Sequence, residues 1–417
     1  MASAHSSPTH SSPTAPLHLA VALDGAGWHP AAWREPGSRA SELFTAGYWA
    51  ELVAEAERGL LDFVTIEDSL GFQSSTPGSP DGRTDQVRGR LDAVLIAARI
   101  APLSRHIGLV PTAVATHTEP FHLSKAIATL DYVSGGRAGV RVQVSGRPDE
   151  AAHFGRREFP AFPATFEEFG RPEVQQRIAV LFEEASDWIE VLRRLWDSWE
   201  DDAEIRDVAT GRFVDRRKLH YIDFEGEHFK VKGPSITPRP PQGQPLVTAL
   251  GHDTVPYRLI AGSADVGYVT PHDADRARAV VAEVRAAQAE AGRAEETVHL
   301  FGDLVVFLDQ DGSAAAGRRQ RLDESAGAEY RSDARIFTGT PAELADLLQE
   351  LQAAGLTGFR LRPGTLPHDL EQITRGLVPE LQRRGAFRSG YEADTLRGLL
   401  GLSRPANRYA ATPAAAV

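Results

Sequence analysis

An α/β fold built as one (β/α)8 barrel is what this sequence predicts, and three observations carry the prediction. Short apolar runs alternate with longer amphipathic ones, the rhythm of parallel βαβ units. About eight such units fit within the chain, which suits a closed barrel better than an open doubly wound sheet. The rhythm breaks once, between Ser145 and Gln244, so a large insertion follows the fourth strand.

Leu17 to Leu23 reads as strand one, and Ser41 to Arg58 as a helix with Leu43, Leu52, Val53 and Ala56 on its apolar face. Leu61 to Ile66 is strand two, followed by a Gly/Ser/Pro/Thr-rich loop (Gly71 to Thr84) and a helix from Asp85 to Ile100. Strand three is Ile107 to Pro111, with a helix from Glu119 to Asp131, and strand four is Ala138 to Val144. The insertion holds a Phe/Pro-rich stretch (Phe154 to Phe169), a long helix (Pro172 to Trp199), a β-hairpin around Tyr221 to Val231 and a Pro-rich connector (Pro234 to Pro245). Leu246 to Leu250, Val266 to Thr270 and Leu300 to Leu308 are strands followed by helical sequence. Gly358 to Leu361 is the last strand, before a helix from Leu366 to Arg384. The plan is a disordered lead-in at 1–16, one barrel domain over 17–403 with 145–245 roofing its active-site face, and a tail at 404–417.

Composition excludes several function classes. The chain has 417 residues with 45 Lys and Arg against 57 Asp and Glu, a formal charge of −12. That argues against a nucleic-acid or anionic-membrane partner. There is no cysteine, so disulfides, thiolate metal sites and a Cys nucleophile are out. No apolar run reaches the ~18–20 residues a membrane span needs, and the N-terminus lacks the apolar core of a signal peptide. A soluble, cytoplasmic protein acting on a small molecule is expected. No P-loop, HExxH, GxSxG or EF-hand pattern occurs. Asp24-Gly25-Ala26-Gly27 offers only part of a dinucleotide fingerprint. The histidines show no metal-ligand spacing, so no metal is expected.

Three stretches resemble one family. They are Gly27-Trp28-His29-Pro30-Ala31-Ala32-Trp33-Arg34, then Pro111-Thr112-Ala113-Val114-Ala115-Thr116 with Leu130-Asp131-Tyr132-Val133-Ser134-Gly135-Gly136-Arg137-Ala138-Gly139, and Val378-Pro379-Glu380-Leu381-Gln382-Arg383-Arg384-Gly385 with Tyr391. Leu195-Trp196-Asp197-Ser198-Trp199 and Gly339-Thr340-Pro341 are further marks. The chain thereby resembles the flavin-dependent, luciferase-like monooxygenases, in the two-component branch of nitrilotriacetate, dibenzothiophene-sulfone and pristinamycin-type enzymes. The resemblance implies a TIM barrel that takes reduced FMN from a separate flavin reductase. It implies that molecular oxygen forms a flavin C4a-(hydro)peroxide, which oxygenates a small organic substrate, and that the protein is a homodimer. In such chemistry the protein binds, orients and excludes water.

The same resemblance assigns candidate residues. Trp28 and His29 follow strand one near the active site, where Trp28 would stack on a ring and His29 would donate a proton. His153 stands before Phe154-Gly155 where the family has Asn. Asp68 and Thr112 end strands two and three on the same face. Where the family has Trp-Asn-Val-Val-Thr-Ser, this chain has Val140-Arg141-Val142-Gln143-Val144-Ser145, so Arg141, Gln143 and Ser145 are the flavin-side candidates. Strand alternation sets these three opposite the valines, inside the barrel. Arg141 is then either a clamp on an anionic ligand group or half of an internal ion pair with Glu67 or Asp68.

Departures gather where the flavin phosphate is expected. The family's Arg-Tyr pair on the long helix is Leu181-Phe182, and its small phosphate-cradling turn is Gly251-His252-Asp253-Thr254-Val255-Pro256. Pro256 removes an N–H, and Asp253 is either a repelling charge or a helix N-cap. Either FMN binds in an altered way, with Arg141 or His252 compensating, or the barrel uses deazaflavin F420 or serves as a flavin-less binding or partner subunit.

Overall fold

Eight parallel strands close on themselves. They are β1 (His18–Leu23), β2 (Phe63–Ile66), β3 (Gly108–Val114), β4 (Gly139–Gln143), β5 (Leu246–Gly251), β6 (Val266–Val269), β7 (His299–Leu308) and β8 (Gly358–Pro363). Each pairs with the next, and β8 pairs with β1 through Ala20↔Arg360, which completes the predicted barrel. The computed structural model describes residues 16–410 except 75, 77, 162, 164 and 165. The expected disordered lead-in, but for Pro16, and the last seven residues of the tail lie outside the described residues.

Helices α1 (Ala46–Arg58), α2 (Ala93–Ile100), α3 (Pro120–Ser134), α4 (Pro172–Asp197), α5 (Thr254–Ser263), α6 (Ala274–Glu290), α7 (Gly312–Ala326) and α8 (Pro341–Ala353) surround the strands. None of the helices among the described residues is long and apolar enough to cross a membrane. Outward strand residues such as Val21, Val64, Val140 and Val142 pack on the helices in one large core. α8 starts in a capping box, with Glu343 N donating to Thr340 Oγ1 at 3.3 Å and Thr340 N to Glu343 Oε2 at 2.8 Å. The insertion is tied down by α4, whose Trp188 and Trp196 indoles donate to the Thr118 and Ser124 carbonyls at 2.9 and 3.0 Å. These tryptophans are core residues.

The barrel interior has two storeys. Below, Ala20, Phe63, Val110, Leu246, Val266 and Phe301 form an apolar plug closed by Leu396 and Leu400. Above it, toward the C-terminal strand ends, the inward positions become charged. That change places the site.

Three features differ from expectation. Residues 85–92 are not helical, and α2 begins at Ala93 behind the Asp92 cap. Their groups bond outward instead. Arg90 grips Asp24 at 2.7 and 3.1 Å, Trp33 donates to the Asp85 carbonyl at 3.0 Å, and Gly89 sits at φ +90°. Tertiary contacts therefore override helical propensity here. A strand at Arg335–Gly339 runs parallel beside the upper half of β7, and a hairpin pairs Glu204–Asp207 with Arg212–Val214. Both are short and largely polar, which hides them from hydrophobic periodicity.

Candidate active site

The upper storey is an ion-pair network. Arg360, fully buried on β8, donates from Nε and Nη2 to the two Asp303 oxygens at 2.8 and 2.6 Å, and from Nη1 to Glu67 at 3.0 Å. Two residues on, Arg362 shares Asp303 at 3.0 Å and reaches Asp333 at 2.6 Å. From β4, Arg141 Nη1 contacts Glu67 at 3.0 Å, Thr112 Oγ1 at 3.2 Å and Gln143 Oε1 at 3.1 Å. Arg141 therefore has the internal partner that strand geometry allowed, while its buried Nε has none. Three arginines face three carboxylates, so the network is formally neutral. Burial raises the carboxyls of Glu67 and Asp303, yet their arginines win and hold both below the usual range. For Asp333 the same contest is won by His252 and Arg362.

Over this floor opens a cleft of about 670 Å³, lined by the β1 loop, the β2 end, Gln143, Arg147, Glu150 and the segment around Tyr330. Trp28 and His29 both line it, as do Asp68 and Gln143. Gly27 holds the turn, at φ +126°, where a Cβ would lie 2.5 Å from the Gly364 carbonyl oxygen. The Arg362 guanidinium lies 4.5 Å from the Trp28 ring centroid and fixes that ring in the wall. His29 is occupied at both nitrogens. Nδ1 accepts from Ala31 N at 3.1 Å, which leaves the proton on Nε2 to donate to Asp323 Oδ1 at 3.0 Å. Burial keeps its pKa below the ordinary value, so the ring is neutral. This hydrogen bonding makes His29 an anchor of the loop, and the geometry does not support the proton-donating role expected of it.

Asp68 accepts from Ser69 N at 2.8 Å and Ala93 N at 2.9 Å, while burial raises its pKa to about 6. It caps the loop and the start of α2. Glu150 is buried and its Oε2 has no partner. Three of the cleft's four arginines are committed, Arg83 on Asp85, Arg90 on Asp24 and Arg147 on Asp149, each at 2.7 Å, while the exposed Arg331 at the rim has no hydrogen bond or ion pair among the described residues.

The remaining candidates are not gathered into the cleft. Thr112 is buried beneath it as an Arg141 acceptor. Ser145 donates from N to Thr116 Oγ1 at 3.0 Å and accepts from Arg147 N at 3.3 Å. His153 is exposed in the turn after the short helix Pro148–Ala152 and is not among the residues lining the cleft. Gly251 ends β5 under Ile260 and Tyr257. His252 bonds Thr270 Oγ1 at 3.0 Å and lies 3.3 Å from Asp333. Asp253 is the N-cap of α5, accepting from Thr254 N at 2.8 Å.

These contacts test the fit of FMN. The cleft, with Trp28 and Tyr330 in its wall, has room for a flat ring. The phosphate finds no cradle. Arg141 and His252, the two groups expected to compensate, are bound to carboxylates, Asp253 puts another carboxylate on the helix terminus, and Leu181 is apolar. The residues present do not fit the phosphate of FMN.

Sequence reasoning missed Asp303, Asp333, Arg360 and Arg362. The signal was present in Gly358-Phe359-Arg360-Leu361-Arg362-Pro363, where arginines alternate with apolar residues in a strand with both faces covered. Inward charge at a C-terminal strand end marks the working face of such a barrel.

Comparison with known proteins agrees with this architecture. A family description, luciferase-like monooxygenase, matches residues 26–335. N-acetyl-S-(2-succino)cysteine monooxygenase of Bacillus subtilis (strain 168) is 30% identical, over 94% of this chain and 98% of its own length. Nitrilotriacetate monooxygenase component A of Aminobacter aminovorans is also 30% identical, with the same 94% and 98% coverage. The crystal structure of long-chain alkane monooxygenase superposes with a TM-score of 0.81 at 22% identity, covering 93% of this chain and 96% of that one, which speaks for the fold. With the barrel, the cleft at its C-terminal face and relatives matched end to end, this chain belongs to the luciferase-like monooxygenase family.

Proposed function

We propose that the chain is the oxygenase of a two-component system, which takes reduced flavin from a separate reductase and uses molecular oxygen to oxygenate a small organic substrate in the cleft above Trp28. The observation that carries this reading is the cleft itself, a cavity of about 670 Å³ on the catalytic face of a barrel whose relatives are monooxygenases. The relative called component A supports the reductase partner. When bound, the flavin supplies the redox chemistry with oxygen. The chain's residues supply the surroundings. Trp28, held by Arg362, gives a flat wall for a ring. His29, tied to Asp323 and Ala31, keeps that wall in place. The paired charges beneath form a rigid floor with little spare charge.

The committed Arg83, Arg90 and Arg147 leave the exposed Arg331 at the rim as the one cleft arginine without a carboxylate among the described residues, and these pairings favour a substrate of low charge. They also count against F420, whose phosphodiester and carboxylates ask for more cations than FMN does. A flavin-less subunit is the reading that the missing phosphate cradle favours in its place.

Rapid mixing separates the two. Flavin reduced without oxygen is incubated with the chain and then mixed with aerated buffer. Reoxidation slower than that of free flavin is expected. Identical kinetics with and without the chain would rule out the oxygenase and leave the binding subunit.

A further inference from the structure

The family resemblance sets the phosphate end of a flavin against three surfaces of this chain, and each is ill suited to a dianion. The first is the turn after β5. The N-terminus of α5 is capped by the Asp253 carboxylate, whose Oδ1 accepts from Thr254 N at 2.8 Å. A helix start otherwise suited to an anion thus presents negative charge. The second is α4. A Cβ on Gly146 would stand 3.4 Å from Leu181 Cδ1, so Leu181 lies against the chain leaving β4. With Phe159, Phe169, Val174 and Ile178 it lines a cavity of about 440 Å³ whose wall is mainly hydrocarbon. The third is the set of guanidiniums nearby. Arg141 faces Glu67, Arg147 faces Asp149, and Arg157 faces Glu184. Releasing any of them to a phosphate would leave a buried or half-buried carboxylate alone.

Arg177 is the exception. It lines the same cavity one helical turn before Leu181, and no hydrogen bond or ion pair engages it among the described residues. His228 lines the cavity too, its buried Nε2 without a partner, and Arg157 there is held by Glu184. One free guanidinium and one imidazole on a largely apolar wall are a poor exchange for the hydration of a dianion, which is better met by several charged donors at once.

We propose that this chain takes its flavin without recognising the phosphate, so that riboflavin serves it at least as well as FMN. The proposal rests on the flavin-dependent reading above and names the cofactor form for the same site.

The test is anaerobic titration calorimetry of the full chain with dithionite-reduced FMN and, separately, reduced riboflavin. Affinities within about threefold of each other, or tighter binding of riboflavin, are expected; FMN tighter by about tenfold or more overturns the proposal. Arg177→Ala is expected to leave the ratio unchanged, and a loss confined to FMN would overturn the proposal by making Arg177 the partner of the phosphate. The triple variant Leu181→Arg, Phe182→Tyr, Asp253→Ser restores the family's pattern. It should move the ratio toward FMN by about tenfold while riboflavin binding, the control for folding, holds. An unmoved ratio overturns the assignment of these surfaces to the phosphate. If neither flavin binds, this proposal and the flavin reading fall together, whereas a strong FMN preference leaves that reading standing.

Discussion

Asp303→Asn removes one charge and almost no volume from the centre of the barrel. Asp303 is fully buried, and its two oxygens take hydrogen bonds from Arg360 at 2.8 and 2.6 Å and from Arg362 at 3.0 Å. Its loss leaves three arginines facing Glu67 and Asp333 alone. Removing one member of a buried pair costs about 3–5 kcal/mol, because the stranded charge stays out of water. Unfolding entropy is about 2.1 cal/mol/K per residue, so roughly 400 residues give about 0.8 kcal/mol/K. A fall in Tm of about 4–6 °C follows. Calorimetry or circular dichroism at neutral pH reads it directly. Adding Arg362→Gln restores neutrality and should recover about half of the loss. A single variant within about 0.5 kcal/mol of the parent would show that the network does not bear on stability, and the reasoning would fail.

Other predictions concern backbone and protonation. Gly27→Ala places a Cβ 2.5 Å from a backbone oxygen at φ +126°, so a loss of about 2 kcal/mol or more is expected in urea unfolding, with weaker flavin binding as the Trp28 loop shifts. An unaltered midpoint would contradict it. Burial lowers the His299 pKa from 6.5 to about 4, helped by nearby His18, while His299 Nε2 donates to the Leu400 carbonyl at 2.9 Å. The unfolded chain takes that proton first, so stability present above pH 6.5 drains as pH falls toward about 4. His299→Gln should lose less than the parent over that window, as unfolding at a series of pH values will show. For Asp68, burial raises the pKa from 3.8 to about 6, against hydrogen bonds from Ala93 and Ser69. Its contribution is full below 3.8 and lost as pH rises through about 6. Asp68→Asn should therefore compare more favourably with the parent at pH ~8 than at pH ~5, and a difference that does not vary with pH would refute this.

All eight barrel strands were legible because strands covered on both faces read as dense apolar runs bounded by turns. The long α4 was legible for the opposite reason, a helical stripe with polar residues between. The site was harder. Trp28, His29, Asp68 and Gln143 line the cleft, the first two expected from the motif they share with the family and all four from their place at or after strand ends. What they do there depends on partners far away in sequence. His29 meets Asp323 and Glu67 meets Arg360, each pair nearly three hundred residues apart. Local pattern carries no trace of such pairings. Residues 85–92 misled in the same way, since Arg90 is claimed by Asp24 across the mouth.

The six charges above the apolar plug also bear on how this protein can change over generations. Replacing one member strands its neighbour, so single steps through that layer pass through weakened intermediates. Paired replacements avoid the penalty, since exchanging a whole buried ion pair for well-packed apolar residues is often neutral. Residues 67, 141, 303, 333, 360 and 362 should therefore vary together among descendants of this chain or remain fixed together. The cleft wall above them, where Phe72 and Arg331 stand exposed, is free to drift singly. New substrate preferences have their easiest route along that rim, over a floor that moves only in concert.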